Sequence, residues 1–205
     1  MLLLCSNGLS SKSLMDQTKA RLNHYKKAAL VVTADPVYKE NNYHVPRCIR
    51  ELESLGLLVD ILDLDHQPAE LLTQYDVVEF IGGNPYYLLN ALRNANCFKI
   101  LDSLSQNKLL IGWSAAAFVF GPTLELVDRY SPEMNAIGLT DLTGLSLTER
   151  IVLPHYSKFL NIFDHFEETC QEFENGHHVN VIRLNDGDGV FISHSTIEIC
   201  KGESA

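Results

Sequence analysis

The chain has 205 residues, 46% apolar and 20% charged, which is ordinary for a globular protein and long enough to bury a full core as a single domain. Its formal net charge of -10 argues against nucleic acid or an anionic membrane as a partner. Cys5, Cys48, Cys97, Cys170 and Cys200 are odd in number and scattered without zinc-ligand spacing, the pattern of reduced structural thiols in a cytoplasmic protein.

The first apolar run, Met1 to Cys5, stops at Ser6-Asn7-Gly8. It is too short for an export signal or a membrane span and reads as a buried strand. Ser10 to His24 suits a helix, Lys27 to Ala34 a strand, Val45 to Leu55 a helix, and Leu57 to Leu64 another strand. Strand Val77 to Ile81, helix Tyr86 to Leu104 with a break near Asn94, and strand Leu109 to Trp113 follow. The pattern loosens through Pro122 to Thr148. It resumes with a short strand at Ile151-Val152, a helix over Lys158 to Glu174, a half-buried strand over Val179 to Leu184, and an antiparallel hairpin of Gly189 to Ser193 with Thr196 to Lys201. This alternation predicts an α/β protein, a mostly parallel sheet with helices on both faces. No repeat, low-complexity tract or linker interrupts it.

Leu110-Ile111-Gly112-Trp113-Ser114-Ala115-Ala116-Ala117 delivers a serine onto a Gly-x-Ser turn between a strand and small residues, the setting of a nucleophile elbow. A serine hydroxyl needs a base to take its proton and an acid to orient that base. Leu153-Pro154-His155-Tyr156 presents His155 at a strand end, and Asn185-Asp186-Gly187-Asp188-Gly189 presents carboxylates after another strand. Upstream, Gly82-Gly83-Asn84-Pro85 ends an apolar strand. The amide of Gly83 or Asn84, with that of Ala115, is a candidate oxyanion hole. Ligands collect at the carboxyl ends of parallel strands, so these loops should face one cleft. Gly82 and Tyr86 are then candidate substrate contacts, with either Tyr86 or Tyr87 packing in the core, and Trp113 reads as packing.

Other features read as structural. Asp186-Gly187-Asp188-Gly189 is similar to a calcium loop but lacks its later ligands and closing glutamate. His177 and His178 are sequential and would point apart on a strand, so neither is expected to bind metal.

In order and spacing, Gly82-Gly83-Asn84-Pro85-Tyr86, Gly112-Trp113-Ser114-Ala115-Ala116-Ala117, Pro154-His155-Tyr156 and Leu184-Asn185-Asp186-Gly187 resemble the peptidase E family. These are aspartyl dipeptidases, related to the cyanophycinases, and the match covers most of the chain. The resemblance implies the flavodoxin-like fold of class I glutamine amidotransferases, a three-layer sandwich, and a serine peptidase that needs no cofactor or metal. Ser114 would be the nucleophile, His155 the base and Asp186 the orienting acid, with Asp188, Glu125 and Asp128 as alternatives. It further implies a small peptide substrate with an amino-terminal aspartate, whose carboxylate Arg129, Arg150 or Lys158 could select. A homodimer is left open. One departure stands out: Ala116 replaces the family's glycine two residues after the nucleophile. A catalytically silent binding protein of the same fold is therefore an alternative. Amidotransferase chemistry is disfavoured by serine in place of cysteine, and an α/β-hydrolase esterase by residue order, which only Glu125 or Asp128 would restore.

Overall fold

The computed structural model describes residues 1–22, 24–193 and 196–203. Strand β1 (Leu2–Cys5), buried at every residue, lies between β5 (Leu109–Trp113) and β8 (Gly189–Ile192) in a seven-stranded sheet. With β2 (Lys27–Val31), β3 (Leu58–Leu62), β4 (Val77–Phe80) and β9 (Ile197–Cys200), the spatial order is β3-β2-β4-β5-β1-β8-β9. The first five strands of that order run parallel, and β8 and β9 add an antiparallel hairpin at one edge. β1 and β5 are apolar on both faces because a central parallel strand is covered on both sides, and β4 departs from this only at Glu79. Edge strand β3 instead leaves Leu58 and Ile61 exposed.

Helices α1 (Lys12–Arg21) and α2 (Val45–Ser54) cover one face through Leu14, Cys48 and Leu52. Helices α3 (Pro85–Asn94), α4 (Phe98–Asn107) and α5 (Ala115–Val119) cover the other, together with α6 (Glu125–Tyr130) and α8 (Phe166–His177). The result is the α/β sandwich expected from the alternation, in the flavodoxin-like form that the resemblance implied. The strand order reverses between β2 and β4, so the crevice above their carboxyl ends is the topological switch point where such sheets bind ligands. Among the described residues no helix is long and apolar enough to cross a membrane.

Three elements differ from expectation. The Tyr86 to Leu104 helix is two helices, because Asn96 takes a left-handed φ of 52° and α4 restarts after Cys97. The Lys158 to Glu174 helix is likewise split. The one-turn α7 (Tyr156–Phe159) ends early, and left-handed His165 precedes α8, which continues to His177. His177 thus closes a helix and His178 is its left-handed cap, so they are not neighbours on a strand. Finally, β7 (Val181–Arg183) does not join the main sheet but pairs in parallel with β6 (Ile151–Leu153) as a separate two-stranded sheet.

Candidate active site

Ser114 leaves β5 with φ 52° and ψ -112°, an unfavourable conformation for a non-glycine residue, and its carbonyl accepts the first turn of α5 from Ala117. The surrounding glycines make this turn possible. A Cβ on Gly112 would stand 2.7 Å from the Phe120 ring, and one on Gly82 would stand 2.8 Å from the Ser114 Cβ. Gly82 therefore packs directly against the elbow, where a side chain would push Ser114 out of place.

His155 caps α7 in the left-handed region at φ 56°, which turns its ring out from the end of β6. Its Nε2 lies 3.0 Å from the Ser114 Oγ, and its Nδ1 lies 2.6 Å from the Asp186 Oδ1. The Asp186 carboxyl is held below its ordinary pKa, chiefly by the bond to His155 and further by a hydroxyl bond, with burial working against both. That hydroxyl belongs to Ser6, which the sequence analysis did not single out. Ser6 Oγ donates to the same Asp186 oxygen at 2.6 Å and accepts the His155 backbone N–H at 2.8 Å. Ser6 immediately follows β1, whose Cys5 pairs with Trp113, so it stands beside the elbow at the carboxyl end of the sheet. Its signal was that position alone: a buried polar residue ending a central parallel strand.

The other carboxylates considered for the acid are engaged elsewhere. Asp188 is buried and accepts from the Asn185 and Gly202 amides and from Lys201, which fixes the turn that carries Asp186. Glu125 pairs with His177, and Asp128 accepts the Tyr86 hydroxyl. Tyr86 itself is fully buried, so it packs in the core instead of contacting a ligand, and Tyr87 bonds Asp65.

Gly83 has φ +156°, and a Cβ there would lie 2.2 Å from the Ala34 carbonyl oxygen. No side chain fits. Neither the Gly83 nor the Ala115 N–H donates to an acceptor among the described residues, which leaves both available to a ligand beside Ser114. Asn84 is different, because its N–H donates to the Ala34 carbonyl and its side chain caps α3 and bonds the Met134 carbonyl. Its amide is removed from the oxyanion candidates on that ground.

The segment after β2 lies against Gly83 and Trp113. Asp35, after β2, accepts from the amides of Val37 and Tyr38 and from the Asn42 side chain, ordering a loop on which Val37, Tyr38 and Tyr43 are exposed. Tyr43 packs on His44, and His44 meets the Trp113 ring edge-on at 5.2 Å. Burial lowers the His44 pKa, aided by the nearby positive charge of Arg47 and Lys158. Lys158 on α7 is close enough to His44 and Asp186 to lower the pKa of each slightly. Arg129 lies instead over Phe173 beside His177, and Arg150 lines a cavity with Met1, Asp102 and Ser105 at the amino end of β1. Of the three basic residues considered for a substrate carboxylate, the fold brings only Lys158 to the cleft.

A serine, a histidine and a carboxylate joined at the carboxyl ends of the strands of an α/β sandwich form the arrangement that serine hydrolases with a nucleophile elbow use. The family model described as Peptidase family S51 matches residues 2–200, and the chain belongs to that family. It is 34% identical over 137 residues to an uncharacterized peptidase of Listeria monocytogenes, covering 64% of this chain and 66% of that protein. It is 29% identical over 135 residues to a peptidase E of Nostoc, covering 63% and 52%. The chain thus spans about two thirds, or less, of the length of the curated relatives it matches. A crystal structure of a protein from Listeria monocytogenes EGD-e, provisionally assigned as a peptidase E, superposes with a TM-score of 0.80 at 25% identity, covering 98% of this chain and 97% of that one.

Proposed function

We propose that this chain is a serine peptidase that hydrolyses short peptides through an acyl-enzyme. The observation that carries the reading is the continuous chain from the Ser114 Oγ through both nitrogens of His155 to Asp186, at 3.0 and 2.6 Å. With Nδ1–H donated to Asp186, the lone pair of Nε2 faces the Ser114 hydroxyl. His155 takes the hydroxyl proton as Ser114 attacks the scissile carbonyl, and the imidazolium that forms is stabilised by the Asp186 carboxylate. The Gly83 and Ala115 amides receive the oxyanion. The tetrahedral intermediate collapses as His155 passes the proton to the leaving amine, and water then resolves the acyl-serine by the same steps.

The cleft favours a short substrate with one acidic and one apolar side chain. Lys158 supplies a cation for a carboxylate, as an amino-terminal aspartate requires, and exposed Val37, Tyr38 and Tyr43, on the segment after β2, supply apolar surface. The test is a fluorophosphonate probe together with a dipeptide panel varied at the first residue. Wild type should be labelled and should prefer Asp-X, and Ser114→Ala should be neither labelled nor active. An unlabelled, inactive wild type of native fold would return the chain to the silent binding protein.

A further inference from the structure

A second polar site lies on the α2 face of the sheet, under the residue that precedes the nucleophile. Glu79, in the middle of β4, is fully buried, and neither of its carboxylate oxygens makes a well-aligned hydrogen bond among the described residues, although the Trp113 indole and the Cys48 thiol face it. Three more polar atoms nearby are also unpartnered: Glu51 Oε2, Arg47 Nη2 and Trp113 Nε1. Arg47 bonds the other Glu51 oxygen at 2.9 Å and lies over the Trp113 ring. Buried polar groups are rarely left without partners, and a fully buried carboxylate least of all, so this convergence marks a place built for something that supplies them.

The donor set indicates what that is. The Cys48 Sγ and one oxygen each of Glu51 and Glu79 all lie within 4.8 Å of one another, the one such group of metal-ligating side chains among the described residues. We propose that Cys48, Glu51 and Glu79 bind a divalent transition-metal ion of the zinc type, with a water in the fourth position. Calcium and magnesium take six or more oxygens, which three protein ligands including a thiolate cannot supply, whereas zinc takes four ligands from sulfur and oxygen. Tetrahedral zinc, with bonds of about 2.0–2.3 Å, places its ligands about 3.5 Å apart, within reach of small rotations of the two glutamate side chains. Charge also matches. With the thiol ionised, three anionic ligands against the Arg47 guanidinium leave two negative charges, which a divalent ion neutralises; the displaced protons pass to solvent.

Cys48 and Glu51 sit three residues apart on one face of α2 and Glu79 comes from β4, which is why no cysteine spacing announced the site. The ion would tie α2 to β4 beneath Trp113 and Ser114, outside the triad. Its role is therefore to hold the elbow's foundation, and it does not depend on the peptidase reading.

The test uses the full chain, loaded with zinc and dialysed, with metal content and thermal unfolding as readouts. Wild type and Ser114→Ala should each retain about one zinc per chain and melt lower after chelation. Cys48→Ser and the near-isosteric Glu79→Gln should lose the retained zinc while keeping native circular dichroism. Cobalt substitution should give a thiolate-to-cobalt charge-transfer band in wild type that Cys48→Ser abolishes and Cys170→Ser keeps. Wild type that holds under about a tenth of an equivalent after loading and shows no charge-transfer band would overturn the proposal, leaving a pocket of protonated Glu79 and water. So would zinc retained equally by both ligand variants.

Discussion

The methyl of Ala116 on α5 faces Gly112 on β5, where a Cβ would come within 3.2 Å of it. Families with an elbow place small residues where helix and strand touch, and here the extra methyl on the helix is matched by a bare glycine on the strand. Ala116 is completely buried, and the Ser114 hydroxyl keeps its bond to His155. The departure at this position thus leaves the geometry of the elbow intact. Ala116→Gly should change kcat less than about threefold while costing about 2 kcal/mol through lost helix propensity and a lost buried methyl. Gly112→Ala should be much worse, because its methyl meets the Phe120 ring at 2.7 Å as well. Thermal melts and dipeptide turnover of both variants distinguish these outcomes. A tenfold gain in Ala116→Gly would show that the elbow had been damaged after all.

Asp186 is the carboxylate bonded to His155, so its amide variant should isolate the orienting role. Asp186→Asn is expected to lower kcat by about 10²–10⁴-fold with the fold unchanged, because an amide cannot stabilise the imidazolium or enforce its tautomer. Glu125→Gln and Asp128→Asn should stay within a few-fold of wild type, since their partners are His177 and Tyr86. Asp188→Asn should act on stability first, because that carboxylate accepts the Asn185 amide in the turn behind Asp186 and the Gly202 amide after β9. Comparing kcat with melting temperature across the four variants separates chemistry from scaffolding. Full activity in Asp186→Asn would remove it from the mechanism.

Much of this was legible because each motif sits at the end of a strongly patterned strand. The buried runs in β4 and β5 lead straight to Gly83 and Ser114, and β6 leads to His155. What stayed hidden depends on tertiary neighbours. Nothing in the chain sets Asp186 above Asp188, since both lie in one Asp-Gly-Asp-Gly turn, until the first is seen on His155 and the second on Gly202 and Lys201. Tyr86 and Tyr87 are equivalent in sequence and differ only because helix rotation buries the first. Asn96 and His165 interrupt helices by taking left-handed conformations that apolar periodicity does not encode. Glu79 reads as an unremarkable polar residue in a strand until its neighbours leave it unpartnered.

Ser6 should behave as a positioning residue. Removing its hydroxyl takes one donor from Asp186 and strips the His155 amide of its acceptor. Hydrogen bonds to a charged group contribute about 1.5–3 kcal/mol, so Ser6→Ala should lower kcat by about 10- to 100-fold with little change in KM. Ser6→Thr should recover part of the loss. If Ser6→Ala lowers only the melting temperature and leaves kcat alone, the hydroxyl is structural.

The pH profile follows from the direction of the Asp186 shift. A carboxylate whose folded pKa is depressed contributes stability that is complete above its unfolded value, near 3.9, and is lost as pH falls through the lower folded value. Asp186 consequently keeps its charge at every pH above that unfolded value. Between about pH 4 and 8, stability should therefore carry no Asp186-dependent change, and wild type and Asp186→Asn should respond to pH in parallel. Below about pH 4, wild type should lose stability that Asp186→Asn lacks. Equilibrium unfolding of both proteins from about pH 2 to 8 reads the difference. A divergence already present near pH 5 would mean that His155 and Ser6 do not hold the carboxylate in its charged form.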